Sequence, residues 1–197
     1  KCLERLGTGY VDCLQIHMVP TVEQVKHEGY HAAFQELKAE GKVRFSGLSC
    51  HGSQYGEVPV SMDDILLAAA EDGRFDVVLF VYNFLQEEQG KRILAACKAK
   101  GMGTTLMKAN PVIEYRDLSA MFEESKQKGQ ALPPQAAKML DLYKSRAEAS
   151  EEFKKKYGLT TFEEVRSAAI RFGLSHPDVH STCPSITNYS DLEAYVA

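Results

Sequence analysis

The chain has 197 residues, of which 44% are hydrophobic and 25% are charged, and its formal net charge at pH 7 is −4. This is enough apolar sequence for one substantial core, and the interspersed charges lack the basic stripe that nucleic-acid binding requires. No stretch approaches the roughly 18 consecutive apolar residues of a membrane span, and no secretory signal peptide is evident. We therefore expect a single domain over residues 1–197, with no nucleic-acid partner and no membrane partner.

The cysteines are scattered along the chain, at Cys2, Cys13, Cys50, Cys97 and Cys183. Their number is odd and no two have CxxC spacing, so the sequence predicts neither a disulfide framework nor a metal site. A reducing, cytoplasmic environment is the expected location. Cys13 and Cys97 have apolar neighbours in the sequence and are predicted to be buried.

A short strand near the start of the chain ends in a histidine. Residues 1–6 have the pattern of a helix that Gly7 ends, and residues 11–17 follow as a mostly apolar strand with His17 last. A histidine in such a position is commonly a core or loop residue. It is also the position where an α/β barrel carries its chemistry, because the active site of that fold lies at the carboxyl ends of the strands.

Strands and helices alternate through the rest of the chain. The predicted strands cover residues 11–17, 43–49, 75–83, 103–108 and 179–184. The predicted helices cover residues 27–40, 61–72, 86–100 and 161–174, with a helical insertion at 111–157 and a short final helix capped by Ser190. Ser61 with Asp64, and Thr161 with Glu164, have the spacing of helix capping boxes. Gly41, Gly73 and Gly101 are predicted to end helices.

This alternation predicts an α/β fold with one parallel sheet, its strands in chain order and its helices packed outside. No glycine-rich phosphate-binding motif follows any of the strands, so the pattern supports neither a Rossmann domain nor a P-loop.

Several segments, in chain order, resemble the strand motifs of the aldo/keto reductase family. They are residues 5–17 (RLGTGYVDCLQIH), 41–49 (GKVRFSGLS), 77–83 (VVLFVYN), 101–108 (GMGTTLMK) and 168–185, the last helix and strand. In that family these segments form strands four to eight of a TIM (β/α)8 barrel. The resemblance implies a partial barrel that lacks roughly the first three βα units of the eight. A start at Lys1, inside a helix, fits the expectation that the chain is a fragment.

The resemblance also implies a reaction. Family members transfer a hydride from NADPH or NADH to a small aldehyde or ketone, with a catalytic tetrad of aspartate, tyrosine, lysine and histidine. His17 matches the histidine, which is expected to orient the substrate or to polarise its carbonyl. The other three residues would belong to the absent units, and Tyr82 and Lys108 cannot replace them because they align with different strands.

The resemblance assigns cofactor contacts to Ser49, His51, Tyr82, Lys108, Ser185, Thr187 and Asn188. His51 follows Ser49 where the family commonly has an asparagine, and Leu79 occupies the position of a glutamine that would bond the nicotinamide carboxamide. Residues 185–188 bring no basic group to a 2′-phosphate, so the choice between NADP and NAD stays open. His17, Ser49 and Tyr82 are expected to face a common cavity, with Lys108 near its rim.

Two functions stay open at this point. The chain is either the C-terminal portion of an aldo/keto reductase, inactive alone because its chemistry needs the absent units, or a catalytically inactive truncated barrel. The second would serve as a nucleotide-binding or assembly module. In both cases the first and last strands would be open edges with unpaired backbone groups, so self-association or pairing with the missing N-terminal segment is expected.

Overall fold

The computed structural model describes residues 1–52, 60–130, 134–186 and 188–196. The chain divides into two compact units. The sheet unit comprises Lys1–Val81, Glu88–Met107 and His176–Cys183, and the helical unit comprises Tyr82–Glu87, Lys108–Ser175 and Pro184–Ala197. Among the described residues, every helix is too short or too polar to cross a bilayer.

The sheet unit holds a five-stranded parallel sheet. Its strands are β1 (Val11–Ile16), β2 (Val43–Cys50), β3 (Val77–Val81), β4 (Gly103–Met107) and β5 (Ser181–Thr182). Strands that are neighbours in the sheet follow one another in the chain, which confirms the predicted α/β architecture and is consistent with a partial TIM barrel. The strand β5 is shorter than predicted, because it has one neighbour and Pro184 has no N–H to continue the ladder.

The helices up to residue 99 lie close to their predicted positions. They are α1 (Cys2–Leu6), α2 (Val22–Val25), α3 (Glu28–Ala39), α4 (Met62–Asp72) and α5 (Glu87–Ala99), of which the short α2 has no counterpart in the sequence prediction. Gly7, Gly41, Gly73 and Gly101 have φ values of 65°, 71°, 75° and 67°. This left-handed conformation is the one that ends helices and favours glycine, so the predicted helix ends are confirmed.

One face of the sheet is covered by helices. Both α3 and α4 pack against β2, and the Tyr30 hydroxyl of α3 lies 3.1 Å from Ser46 Oγ. Leu48 and Val78, paired across the strands, and Leu106 of β4 share this face and are fully buried. They form the core of the sheet unit.

The opposite face is more open. Phe45 on this face is 49% exposed, and its partner across the strands, Cys13, is exposed as well. The prediction that Cys13 is buried is therefore wrong, because alternation along β1 directs its apolar neighbours to the other side of the strand. The matching prediction for Cys97 is confirmed, since this residue is fully buried.

The helical unit contains α6 (Ile113–Gln127), α7 (Pro134–Ala149), α8 (Glu151–Tyr157), α9 (Phe162–Leu174) and α10 (Tyr189–Val196). The described part of residues 111–157 thus forms three helices. The predicted capping box at the start of α9 is present: Thr161 Oγ1 accepts the N–H of Glu164, and Glu164 Oε2 accepts the N–H of Thr161. Arg166 of α9 makes a buried ion pair with Asp191 of α10.

The other two predicted caps differ in detail. At α4, Ser61 Oγ accepts the N–H of Asp64 but donates its own proton to the Asp64 carboxylate, so half of a capping box forms. At α10, the prediction that Ser190 is the cap is wrong, because the helix begins one residue earlier. Asn188 Oδ1 accepts the N–H of Asp191 at 2.9 Å and takes the cap position instead.

Candidate functional site

The carboxyl ends of β1 and β2 bring together three of the residues that the sequence predicted for the site. The rings of His17 and His51 have centroids 6.0 Å apart and planes at 86° to one another. Ser49 Oγ accepts the backbone N–H of Met18 at 2.8 Å, and its carbonyl oxygen accepts the N–H of Val19 at 2.8 Å. We refer to His17, Ser49 and His51 as the histidine corner.

Both histidines of the histidine corner directly precede a residue with a left-handed backbone conformation. Directly after His17, Met18 has φ 54°, a left-handed conformation that is uncommon for a non-glycine residue. Directly after His51, Gly52 has φ 71°, and a Cβ at this position would lie 2.9 Å from Met62 Cβ. Glycine is therefore strongly favoured at position 52.

A row of side chains crosses the sheet from the histidine corner. The register pairs Ser49 with Leu79, Leu79 with Thr105, and Thr105 with Ser181. Paired residues of a parallel sheet share a face, so this row lies on the open side, opposite the helices. Leu79 provides no polar atom, but the Thr105 hydroxyl beside it makes no hydrogen bond with any described residue.

Thr105 is a candidate that the sequence analysis missed. Its type and its place in a strand do not distinguish it from Thr104, which is buried and bonded. What distinguishes the two is the strand register, which depends on pairing with residues more than 20 positions away. Side chains along a strand alternate between the two faces of the sheet. Once Ser49 is assigned to one face, this alternation along β4 could have identified Thr105 as lying on the same face.

Tyr30 is close to β1 and β2 but is not a proton donor for the histidine corner. Its hydroxyl bonds Ser46 Oγ and the Leu14 carbonyl on the helix-covered face. Burial raises the pKa of this hydroxyl above its ordinary value. An acid catalyst at neutral pH needs a lowered tyrosine pKa, so the environment of Tyr30 is the opposite of what catalysis requires.

Burial also raises the pKa of the Cys50 thiol, which therefore stays protonated.

In the helical unit, Tyr82, Lys108 and Asn110 lie at chain positions that follow β3 and β4. Tyr82 is buried, and the next residue, Asn83, donates from Nδ2 to the Lys108 carbonyl at 3.1 Å. Lys108 has φ 53°, the second non-glycine residue with a left-handed conformation among those described. Met18 lies two residues after the end of β1, and Lys108 directly follows the end of β4. Backbone strain of this kind is commonly found at functional sites.

Asn110 is a second residue that the sequence analysis missed. It is 7% exposed, and its Oδ1 accepts the N–H of Val112 at 3.0 Å. Its Nδ2 is buried and has no hydrogen-bond partner among the described residues. A buried, unsatisfied amide donor is costly unless a bound molecule accepts from it. The sequence Asn110-Pro111 after a strand signals a turn but gives no indication of the vacant donor.

The last candidates lie before α10. The Ser185 carbonyl accepts from the Tyr195 hydroxyl at 3.0 Å, and Asn188 is the helix cap described above. Thr187 lies outside the described residues. The cofactor roles of Ser185, Thr187 and Asn188, and the common cavity expected for His17, Ser49 and Tyr82, stay predictions. Among the described residues no three histidine, cysteine or carboxylate side chains are grouped as metal ligands.

Comparison with known proteins decides the family. The sequence model of the aldo/keto reductase family matches residues 1–197. The chain belongs to the aldo/keto reductase family. A relative from Arabidopsis thaliana, L-galactose dehydrogenase, is 24% identical to this aldo/keto reductase chain over 200 residues, which cover 100% of the chain and 55% of the relative. The chain thus spans about half the length of the curated relative that it matches.

Proposed function

We propose that this chain contributes part of an oxidoreductase that transfers a hydride between NADPH or NADH and the carbonyl of a small aldehyde or ketone. The observation that carries the proposal is the histidine corner, which places His17, His51 and the clamped Ser49 at the carboxyl ends of adjacent parallel strands. In barrel enzymes this end of the sheet carries the chemistry. Membership of the aldo/keto reductase family supports the same reaction class.

The polar groups that are left unsatisfied fit a nicotinamide cofactor. The Ser49 hydroxyl accepts from Met18 and keeps its own proton for an acceptor such as a carboxamide oxygen. Thr105 offers a second hydroxyl in the same row, where Leu79 cannot bond. When bound, the nicotinamide supplies or accepts the hydride.

His17 is proposed to hold the substrate oxygen. Its exposed imidazole lies just beyond β1, and an N–H group aimed at a carbonyl oxygen stabilises the negative charge that grows there during reduction. His51 is proposed to supply the polar contact that an asparagine side chain commonly makes after this strand in the family. The proton itself would come from a tyrosine outside this chain, and its absence costs roughly 10²- to 10⁴-fold in rate. We therefore propose that the chain alone is inactive or nearly so.

The relative named for the dehydrogenation of L-galactose is consistent with this reaction class, because a dehydrogenase and a carbonyl reductase run one reaction in opposite directions. The substrate is accordingly proposed as a class, a small carbonyl compound or the alcohol formed from it. The row that includes Leu79 and Thr105 offers no charge to bind an ionic substrate.

Imidazole NMR signals locate the proposed binding. Histidine rings labelled with ¹³C are observed while NADPH, NADH or adenosine 5′-diphosphate is added to the full chain. We expect the signals of His17 and His51 to shift with both reduced cofactors and not with the nicotinamide-free nucleotide. His27 and His31 serve as internal controls, since His27 caps α3 and His31 bonds the Val25 carbonyl. Shifts confined to the controls, or none at all, would refute the proposal.

A further inference from the structure

An aromatic groove lies along α9 within the helical unit, and the ring centroid of one of its lining residues, Phe172, is 5.7 Å from that of Tyr82. It has a volume of about 710 Å³, which is in the range of small-molecule sites. Its apolar lining comes from α8, α9 and α10 and the turn after α8: Phe153, Tyr157, Leu159, Ala168, Phe172 and Ala194. No step in the proposed hydride transfer uses these residues.

Aromatic rings form one wall of this groove. Phe153 has its centroid 4.9 Å from that of Tyr157, at an interplanar angle of 58°, and 6.2 Å from that of Phe172, at 89°. A fourth ring, Phe84, stacks on Phe153 with the two centroids 3.9 Å apart. Tyr157 is 52% exposed, and Lys156 Nζ lies 5.2 Å from the centroid of its ring, so a planar ligand could stack on the other face of the ring.

Some polar side chains of the groove are already hydrogen-bonded within the protein. The Glu164 carboxylate caps α9, where it accepts from the N–H groups of Thr160 and Thr161. Ser167 Oγ donates to the Ala194 carbonyl. Two charges remain that make no hydrogen bond or ion pair with a described residue, Glu163 and Arg171. They are eight residues apart on α9, which places them roughly 12 Å apart along the helix axis.

Glu163 and Arg171 differ in what their positions leave unsatisfied. Glu163 is in the first turn of α9, where the helix dipole stabilises a carboxylate without a further partner. The dipole also favours a cation in the last turn, the position of Arg171. Arg171 is exposed, and its guanidinium has no partner among the described residues. The paired N–H donors of a guanidinium match the two oxygens of a carboxylate.

We propose that this groove binds a small planar aromatic carboxylate. The ring of the ligand stacks on the wall formed by Phe153, Tyr157 and Phe172, and its carboxylate pairs with the Arg171 guanidinium. The proposed hydride transfer uses none of the groove residues, so this proposal stands or falls independently of the proposed function.

Matched probes test the charge and the ring separately. Binding of 2-naphthoate and of 2-naphthylmethanol to the full chain is measured by calorimetry. We expect one site per chain and a preference of about tenfold for the carboxylate, in line with one partly exposed charge-assisted hydrogen-bonded pair. Arg171→Gln should abolish the preference and Arg171→Lys should restore part of it. Arg5→Gln, at an arginine of α1 that is also exposed, should leave it unchanged.

Two further variants complete the test. Tyr157→Ala should weaken both probes by several-fold, because it removes the exposed ring face. Glu163→Gln should leave naphthoate binding equal or tighter, since it removes a repelling charge. Equal affinity for the two probes, an Arg171→Gln variant that behaves like Arg5→Gln, or weaker binding in Glu163→Gln would overturn the proposal. So would a probe affinity that falls as the chain concentration and the mass measured by light scattering rise, because a second copy would then occupy the groove.

Discussion

A single residue of β2 fixes the turn that carries His17. Ser49 is 2% exposed, and it engages Met18 through its hydroxyl and Val19 through its carbonyl oxygen. Met18 adopts φ 54° between these two bonds, a strained conformation that persists only when the surroundings over-determine it. Ser49 is therefore a positioning residue for His17 whether or not it also contacts a cofactor.

Removing the Ser49 hydroxyl tests this positioning. Ser49→Ala removes the acceptor of the part-buried Met18 N–H, and we expect it to lower the free energy of unfolding by about 1 kcal/mol. Urea denaturation of the full chain measures the change. Ser145→Ala, at an exposed serine that bonds only within α7, is the control and should be near neutral. A Ser49→Ala variant as stable as the control would show that the clamp contributes nothing.

Gly47 allows β1 and β2 to approach closely beneath the histidine corner. A Cβ at this position would lie 2.8 Å from Gln15 Cγ, 3.0 Å from the Val77 carbonyl oxygen and 3.3 Å from Cys13 Sγ. Gly47→Ala is expected to destabilise the chain by roughly 1–3 kcal/mol, because the backbone oxygen cannot move aside. Gly9→Ala is the matched control, since a Cβ there meets nothing within 4 Å. Equal unfolding midpoints for the two variants would contradict the expected crowding.

At the scale of elements, the capping box of α9 predicts a dependence of stability on pH. The N–H groups of Thr160 and Thr161 hold the pKa of Glu164 at about 2, below its ordinary value of 4.5. The contribution of Glu164 is therefore complete above pH 4.5, where the unfolded carboxyl is ionised, and is lost as pH falls toward 2. Glu164→Gln should melt at a lower temperature than the wild type at pH 7, with a gap that narrows below pH 4.5.

The control for that measurement is Glu148→Gln, which removes an exposed carboxylate of α7 that has no hydrogen bond or ion pair to a described residue. Its melting difference from the wild type should be small and constant over the same pH range. If the gap for Glu164→Gln were equally constant, the carboxylate would not be acting as a cap.

Patterns within a few neighbouring residues predicted most helices and strands, whereas the exposure of individual side chains depended on pairing between distant strands. The apolar run of β3 and the Thr161–Glu164 spacing are complete within a few residues, so the sequence alone reveals them. Whether Cys13 is buried or exposed depends on which face of β1 the helices cover, and the neighbouring residues in the sequence do not indicate that face.

The same limit applies to the candidate site. His17, Ser49 and His51 could be chosen from the sequence because each follows or ends a recognisable strand. Thr105 became a candidate only through its register with Leu79, and Asn110 only through its unsatisfied donor. Register and hydrogen-bond satisfaction are properties of the folded chain, which no motif in the sequence records.

For the whole molecule, the sheet leaves β1 and β5 with one hydrogen-bonded neighbour each among the described strands. Edge strands present unpaired N–H and C=O groups that favour pairing with another chain. We propose that the purified chain self-associates, as an assembly module would, and we expect light scattering at micromolar concentration to give a mass above that of one chain. A monomer that stays folded on dilution would contradict this expectation.

Titration with NADH and NADPH, followed by nicotinamide fluorescence, is the most direct test of cofactor binding by this chain. Thr105→Val and Thr104→Val provide the comparison. The first removes the unsatisfied hydroxyl of the open face, and the second removes a hydroxyl that donates to the Asp178 carbonyl at 2.6 Å on the helix-covered face. Thr104→Val should lower stability without changing the affinity of the folded fraction.

The wild type is expected to bind both cofactors saturably and with similar affinity, weaker than about 10 μM, because Leu79 offers no carboxamide partner. Thr105→Val should weaken both by roughly two- to tenfold, the value of one hydrogen bond. No saturable signal, a strong preference for NADPH with low-micromolar affinity, or an unchanged Thr105→Val would contradict nicotinamide binding at this face of the sheet.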